Sequence, residues 1–188
     1  YEIASCLVGS EMCIRDRALL LIYWAAMQFI TVDGYGGGNY TPQGNLAEWI
    51  DNTVLGRFRD TAQVIDGKVV VADWYHYTWI LSSLNFGVTV LTGLFAGYIA
   101  KDKIEEKKKL KLYFGTGTAL VIAGWLWNFQ MPVIKTIWTS SMVLVSSGYC
   151  FLLMGLFYYW IDYKGHRSGI TWLKVYGMNS IAAYMLAN

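Results

Sequence analysis

Long uncharged runs alternate with charged loops along this 188-residue chain. A membrane-spanning helix needs about 20 predominantly apolar residues, and the pattern predicts complete spans over residues 79–100, 112–131 and 138–161. Two shorter uncharged runs, over residues 18–32 and 175–188, lie near the two ends. We therefore predict an all-α polytopic transmembrane helix bundle with three complete and two partial spans, and we expect the chain to be a fragment of a longer protein.

The loop 33–78 between the first two runs is too long for a simple turn. Asn45 is suited to cap a short helix that ends at Gly56. The apolar residues of this helix recur at helical spacing: Leu46, Trp49, Ile50 and Val54. Such an amphipathic helix is expected to lie on the membrane or on the mouth of the bundle. Further along, alternation around the Asp66–Gly67 pair predicts a small β-hairpin.

Composition narrows the class of protein. The chain is 55% hydrophobic and 15% charged, whereas a soluble domain carries about 25% charged residues. These values argue against a water-soluble enzyme with a single core, and they exclude a disordered chain. The net charge of +2 is too small to indicate a nucleic-acid partner. Cys6, Cys13 and Cys150 lack metal-binding spacing and cannot pair evenly, so neither a metal site nor a disulfide framework is predicted.

Lysine and arginine in the loops predict the orientation. Residues 101–111 and 162–174 together carry nine of these cations, and the loops on the opposite side carry four. Because cytoplasmic loops are enriched in Lys and Arg, we place these two loops in the cytoplasm and the loop 33–78 outside. The lysine-rich loop could instead hold an anionic cofactor or lipid, although topology alone accounts for it.

The first seventeen residues have a different origin from the rest. The string CLVGSEMCIRDR at residues 6–17 matches a translated transposase sequencing adaptor, and such a segment is excluded from fold reasoning as an expression tag is. The alternative is a natural N-terminal arm. We predict that residues 1–17 contribute nothing to the fold, that any helix they form makes few contacts, and that the genuine protein starts near Ala18.

Polar side chains recur at helical spacing at the start of the second predicted span: Ser82, Asn85, Thr89 and Thr92. Because unsatisfied polar groups are costly in lipid, this stripe should point into the bundle. The apolar residues expected on the other faces are Leu81, Val88 and Phe95. The stripe indicates either helix packing, together with a small-residue motif at Gly93 and Gly97, or the wall of a substrate-filled cavity. Packing is favoured for the hydroxyls, and both interpretations stay open for Asn85.

No complete catalytic set emerges from the residue pattern. His76 lies at the outer edge of a predicted span, where a histidine could act as a base. A lone interfacial histidine is more often only a polar surface residue. Because the pattern offers no other residue for this role, His76 is the one catalytic candidate in the sequence, with a polar surface role as the alternative.

Two strings resemble motifs of a known family. MPVIKTIWTSS at residues 131–141 resembles the Pro-[Val/Ile]-Asn-Lys-x-[Leu/Ile]-Trp-[Ser/Thr] signature of the heparan-alpha-glucosaminide N-acetyltransferase-like membrane proteins, and GMNSIAAYML at residues 177–186 resembles a helix start of the same family. Their order and spacing fit the C-terminal half of such a protein, over residues 18–188. The sequence departs from the signature at Ile134, where the family has asparagine.

The resemblance implies a membrane acyltransferase that takes acetyl from cytoplasmic acetyl-CoA, as its co-substrate, and delivers it to an amino sugar outside. The family's catalytic histidine lies upstream of the matched region, so no residue here inherits its role. The expected partners are the lipid bilayer and the sugar acceptor, with a homodimer left open.

Predicted topology assigns the candidate binding residues. Lys135 should lie at the outer mouth, where its ammonium could contact a sugar hydroxyl or carboxylate, and Trp138 could stack on a sugar ring with Asn85 nearby. Asn179 and Ser180 should lie on the cytoplasmic side, where they could bind acetyl-CoA. The alternatives are a snorkelling interfacial lysine and a helix-packing amide.

Two other functions stay open. A polar-striped bundle could be a transporter or flippase-like carrier of a sugar-containing substrate, or a structural membrane subunit. An upstream histidine would favour the enzyme, whereas inverted repeats with broken helices would favour the carrier.

Overall fold

The computed structural model describes residues 2–65, 68–72, 75–166, 170–179 and 185. The fold is mostly helical, with 64% helix and 5% strand. The helices are α1 (Glu2–Phe29), α2 (Leu46–Val54), α3 (Ser83–Lys101), α4 (Glu106–Trp127), α5 (Ser140–Tyr158) and α6 (Thr171–Met178). The strands are β1 (Thr31–Val32), β2 (Tyr35–Gly36), β3 (Gln63–Ile65) and β4 (Lys68–Val70), in two antiparallel pairs.

The helix boundaries differ from the predicted spans at the charged ends. α4 begins at Glu106, so its first turns include most of the lysine-rich loop. Charged residues such as Lys and Glu are compatible with a helix. α4 ends at Trp127, and Asn128 caps the turn by accepting a hydrogen bond from the Val133 N–H at 2.9 Å. α5 continues into a five-residue π-helical turn, Tyr159–Tyr163. Two helical segments, Ser83–Lys101 and Ser140–Tyr163, are long and apolar enough to cross a membrane.

α4 and α5 pack closely at glycines that are seven residues apart. A Cβ added at Gly124 would lie 2.6 Å from Val145 Cγ2, and one added at Gly148 would lie 2.8 Å from the Gly117 carbonyl oxygen. Seven residues are close to two helical turns, so Gly117 and Gly124 lie along one line of α4. The absent side chains allow the two backbones to approach each other.

The small-residue motif proposed for packing on α3 is wrong. Within the described part of the chain, a Cβ at Gly93 or Gly97 would meet no heavy atom within 4 Å. Both residues lie on the face of α3 that points away from α1, α4 and α5. The spacing alone could not show this, because it does not specify which face meets a neighbour.

Gly148→Ala is expected to lower the free energy of unfolding by about 1–3 kcal/mol, since the new methyl group must displace backbone atoms of α4. Gly93→Ala is the matched control, because it adds the same methyl group to a helix in open space and should be neutral or slightly stabilising. Equilibrium unfolding of the full chain in mixed micelles measures both. Equal stability of Gly148→Ala and wild type would contradict the close contact.

α1 ends at Phe29, three residues before the predicted end of the first span, because residues 31–36 form the β1–β2 ribbon. Gly36 has a φ of +88°, and a Cβ there would lie 2.2 Å from the Ile30 carbonyl oxygen, so only glycine fits this turn. The Gly37 and Gly38 N–H groups donate to the Ile30 and Met27 carbonyls. The glycine-rich segment therefore wraps and caps the end of α1.

The helix α1 also runs through the adaptor-like string. Ile14 is largely exposed, and the first buried hydrophobic residue among those with described side chains is Leu20. That the string contributes nothing to packing stays a prediction, since the side chains of residues 2–13 lie outside the description.

Two local predictions for residues 45–70 are confirmed, namely the N-cap at Asn45 and the pair of strands around residues 66–67. Asn45 Oδ1 accepts a hydrogen bond from the Glu48 N–H at 2.8 Å, as an N-cap residue does. Gly56, with a φ of +49°, follows the last turn of α2. The strands β3 and β4 pair antiparallel on either side of the predicted turn, whose residues Asp66 and Gly67 lie outside the described ranges.

Among the residues that the structure describes, three hydrophobic clusters form the core. The first joins α1, α2 and the turn between α4 and α5: Tyr23, Met27, Leu46, Ala47, Met131 and Ile137. The second lies between α1, α3 and α5: Leu20, Val88 and Val143. The third lies at the far end of the helices: Ile99, Tyr113 and Phe151. The first two clusters enclose the polar site described next.

Candidate functional site

The turn formed by residues 128–139, here called the α4–α5 turn, carries the string that contains Lys135 and Trp138. The turn holds itself together, because the Ile134 N–H donates to Thr139 Oγ1 at 3.1 Å and the Trp138 N–H donates to the Lys135 carbonyl at 3.2 Å. Trp138 has a φ of +50°, which is rare for a bulky residue and places its carbonyl toward α3. Strained backbone of this kind persists where the surroundings fix it.

Asn85 of α3 is fully buried beneath this turn. Its Nδ2 donates to the Trp138 carbonyl at 2.7 Å and lies 3.4 Å from Ser140 Oγ. Its Oδ1 has no hydrogen-bond partner among the described residues. An unpaired buried acceptor costs about 1–3 kcal/mol, so this oxygen is a place where a bound polar group would be stabilised.

A ring of hydroxyl groups surrounds Asn85. Ser82 Oγ and the Tyr23 hydroxyl both donate to the Ile137 carbonyl, the first at 3.0 Å. Thr78 Oγ1 lies 2.6 Å from Ser82 Oγ, and Ser140 Oγ donates to the Leu20 carbonyl at 2.9 Å. We call Tyr23, Thr78, Ser82, Asn85 and Ser140 the Asn85 cluster. The cluster joins α1, α3 and α5 through hydrogen bonds among buried polar groups.

The predicted polar stripe of α3 is confirmed in its first half. Ser82 and Asn85 are fully buried, whereas Thr89 and Thr92 are partly buried and donate to carbonyls of their own helix, those of Asn85 and Val88. The expectation that Val88 lies on another face is wrong, since Val88 is buried against Leu20 and Val143. A position three residues from Asn85 shares its helix face, so apolar and polar residues line the same contact.

Lys135 and Trp138 differ in their surroundings. Lys135 is exposed, and no described residue forms a hydrogen bond or an ion pair with its ammonium. Trp138 is partly buried: its Nε1 donates to Thr89 Oγ1 at 3.2 Å, and its ring meets the Phe86 ring edge-to-face at 4.9 Å. The structure therefore brings Asn85 and Trp138 together and leaves Lys135 at the surface of the same turn.

The other predicted site residues lie elsewhere. Asn179 is exposed at the end of α6, and its Nδ2 donates to the Val175 carbonyl at 2.8 Å. Ser180 lies outside the described residues. His76 is partly buried in the segment before α3, with no described side chain bonded to it. Along the chain, Lys135 comes before α5, whereas Asn179 comes after α6, which itself follows α5.

Sequence reasoning missed a charged clamp between α2 and the start of α3. Asp51 is fully buried and accepts hydrogen bonds from the Trp79 and Ile80 N–H groups, at 2.6 and 3.0 Å. Arg59, also buried, forms a bidentate ion pair with Glu48 and donates to the Tyr77 carbonyl. Burial raises the pKa of Asp51, against the lowering effect of its two backbone donors and Arg59. No short sequence motif predicts this clamp, because the residues that bond each other are 11 to 29 positions apart in the chain.

One lysine of the charged loop has a structural role. Lys109 is nearly buried, and its Nζ donates to the Ala100 carbonyl in the last turn of α3 at 2.8 Å. The Tyr113 hydroxyl donates to the Ala96 carbonyl in the same way. A cation at a helix C-terminus pairs with the free carbonyls and the helix dipole. Lys109 therefore joins α4 to the end of α3.

The described residues form a helical fold with two potential membrane-crossing helices and a buried polar cluster at one end. No group of three His, Cys, Asp or Glu residues within the described ranges could hold a metal ion. No protein-family model matches the chain, and comparison with curated proteins and with solved structures gives no match.

Proposed function

We propose that this chain is part of an integral membrane acyltransferase that transfers acetyl from cytoplasmic acetyl-CoA to an amino sugar on the outer side. The observation that carries the proposal is the buried Asn85, whose Oδ1 lacks a partner beneath the turn that presents Trp138 and Lys135. A buried polar group without a partner calls for an explanation, and a bound polar ligand is one. The transferred group is assigned by the resemblance of residues 131–141 and 177–186 to a family of acetyltransferases.

Placement in a membrane is supported by the poor burial of the two apolar helices. Only 17% of the apolar window of Ser83–Lys101 and 44% of that of Ser140–Tyr163 are buried within the fold. A core helix of a soluble protein is mostly buried, whereas these helices direct large side chains outward, such as Val90, Leu153 and Phe157. Lipid is the environment in which such a surface is stable. The cation distribution supports an outer position for the α4–α5 turn, and the family resemblance implies that the membrane is a bacterial inner membrane.

The outer end has the chemistry of a sugar site. The Lys135 ammonium is exposed and can approach an acceptor hydroxyl or carboxylate, and the partly buried Trp138 ring is the candidate for stacking on a sugar ring. Asn85 Oδ1 can accept a hydrogen bond from a hydroxyl or amine that reaches below the turn. At the other end, Asn179 and Ser180 are the candidates for contact with acetyl-CoA.

A carrier of a sugar-containing substrate is the second candidate. Its support is the Asn85 cluster itself, because a chain of hydroxyls between helices can also serve a moving polar substrate. The complete protein in proteoliposomes distinguishes the two functions. Acetyl-CoA-dependent acetylation of an outside amino sugar supports the enzyme, whereas uptake of unmodified sugar without acetyl-CoA supports the carrier and overturns the proposal.

In the complete enzyme, Lys135→Ala is expected to raise the KM for the sugar acceptor about tenfold, equivalent to about 1.4 kcal/mol, with the KM for acetyl-CoA little changed. Asn179→Ala is expected to do the reverse. Steady-state acetylation with each substrate varied in turn measures both. Equal small changes in the KM values for both substrates would show that Lys135 and Asn179 have only surface and packing roles.

A further inference from the structure

The apolar face of α2 extends beyond the bundle. Leu46, Ile50 and Val54 lie along one line of the helix, four residues apart. Leu46 is buried and Ile50 is partly buried, but Val54 is 67% exposed. The face therefore begins in the core and ends outside it.

The turn after α2 adds an aromatic residue and a cation to this exposed end. Phe58 is 78% exposed. The Arg57 guanidinium lies 4.9 Å from the centre of the Phe58 ring, so an apolar and a cationic group project together. We call Val54, Arg57 and Phe58 the α2 tip.

The clamp holds the α2 tip beside the start of α3. Asp51, on the last turn of α2, binds the Trp79 and Ile80 N–H groups, and Arg59 binds the Tyr77 carbonyl. Tyr77 and Trp79 are themselves 42% and 48% exposed. Aromatic residues of this kind at the end of a span are typical of the membrane interface.

We propose that the α2 tip inserts into the headgroup region of the bilayer and anchors the loop 33–78 beside the mouth of the bundle. This inference rests on the membrane placement in the proposed function. Lipid is the occupant because the clamp ties the helix that carries the tip to the exposed aromatic residues at the start of an apolar helix. Val54 and Phe58 contact the acyl boundary, and Arg57 binds lipid phosphate.

Spin labels on single cysteines test the anchor in bilayers of phosphatidylcholine mixed with phosphatidylglycerol. The three native cysteines are first replaced by serine. Labels at Val54→Cys and Phe58→Cys are expected to collide more often with oxygen than with a water-soluble nickel chelate. The matched control is Thr53→Cys, which is also exposed but lies about 100° around the helix. Its label should favour the nickel chelate.

A fourth label, at Leu153→Cys on α5, tests the membrane placement separately from the lipid anchor. Oxygen preference at 153 with nickel preference at 58 overturns the anchor and leaves the membrane placement intact. Protection of label 58 from both reagents means that protein covers the tip, which also overturns a lipid anchor. Nickel preference at both 153 and 58 overturns the membrane placement and the anchor together.

Discussion

Arg59→Ala is expected to lower the free energy of unfolding by about 3–5 kcal/mol, the usual effect of breaking a buried ion pair. Arg59 is buried and binds Glu48 through both terminal guanidinium nitrogens, so its loss leaves a mostly buried carboxylate without its cation. It also removes the donor to the Tyr77 carbonyl. Equilibrium unfolding of the full chain in mixed micelles measures the change.

Arg57→Ala is the matched control for this experiment. Arg57 is exposed and contacts the Phe58 ring alone among the described groups, so its removal should change stability by less than about 0.5 kcal/mol. Arg59→Lys should fall between the two, because an ammonium cannot reproduce the bidentate pair. Similar losses from Arg57→Ala and Arg59→Ala would show that the clamp contributes little.

Asp51→Ala is expected to lower the free energy of unfolding by about 2–4 kcal/mol. Both the Trp79 and the Ile80 N–H groups would lose a charged acceptor at a buried site, and such bonds are worth about 1.5–3 kcal/mol each before relaxation. Thr53→Ala, which removes an exposed hydroxyl that bonds the Trp49 carbonyl of its own helix, is the comparison. An Asp51→Ala protein as stable as Thr53→Ala would rule out the capping role.

The pH dependence of Asp51 can be isolated with Asp51→Asn, which does not titrate. Burial raises the pKa of Asp51 above its ordinary value of 3.8, so the folded state binds the proton more tightly than the unfolded chain. The stability of wild type relative to Asp51→Asn should therefore grow as the pH falls through the raised pKa toward 3.8. A difference that shrinks over this range would mean that the backbone donors and Arg59 outweigh desolvation.

Local features of the chain were predictable because short-range chemistry decides them. Asn45 caps α2 since its side chain reaches the N–H three residues ahead, and the β3–β4 pair follows from alternation around a turn. The predominance of helix and the two long apolar helices follow from uncharged runs of sufficient length. The adaptor-like origin of residues 6–17, the acyl chemistry and the sugar acceptor stay predictions.

What only the tertiary structure decided is which face of each helix meets a neighbour. Gly93 and Gly97 have a packing spacing but face open space, whereas Gly124 and Gly148 make the close contact. Asp51 is fully buried although the apolar face predicted for α2 does not include it. The spacing of apolar residues shows which side chains share a face of a helix. Which face then points toward the rest of the fold depends on contacts with residues far along the chain. The clamp and the open acceptor of Asn85 arise from such long-range contacts, and so no local pattern could show them.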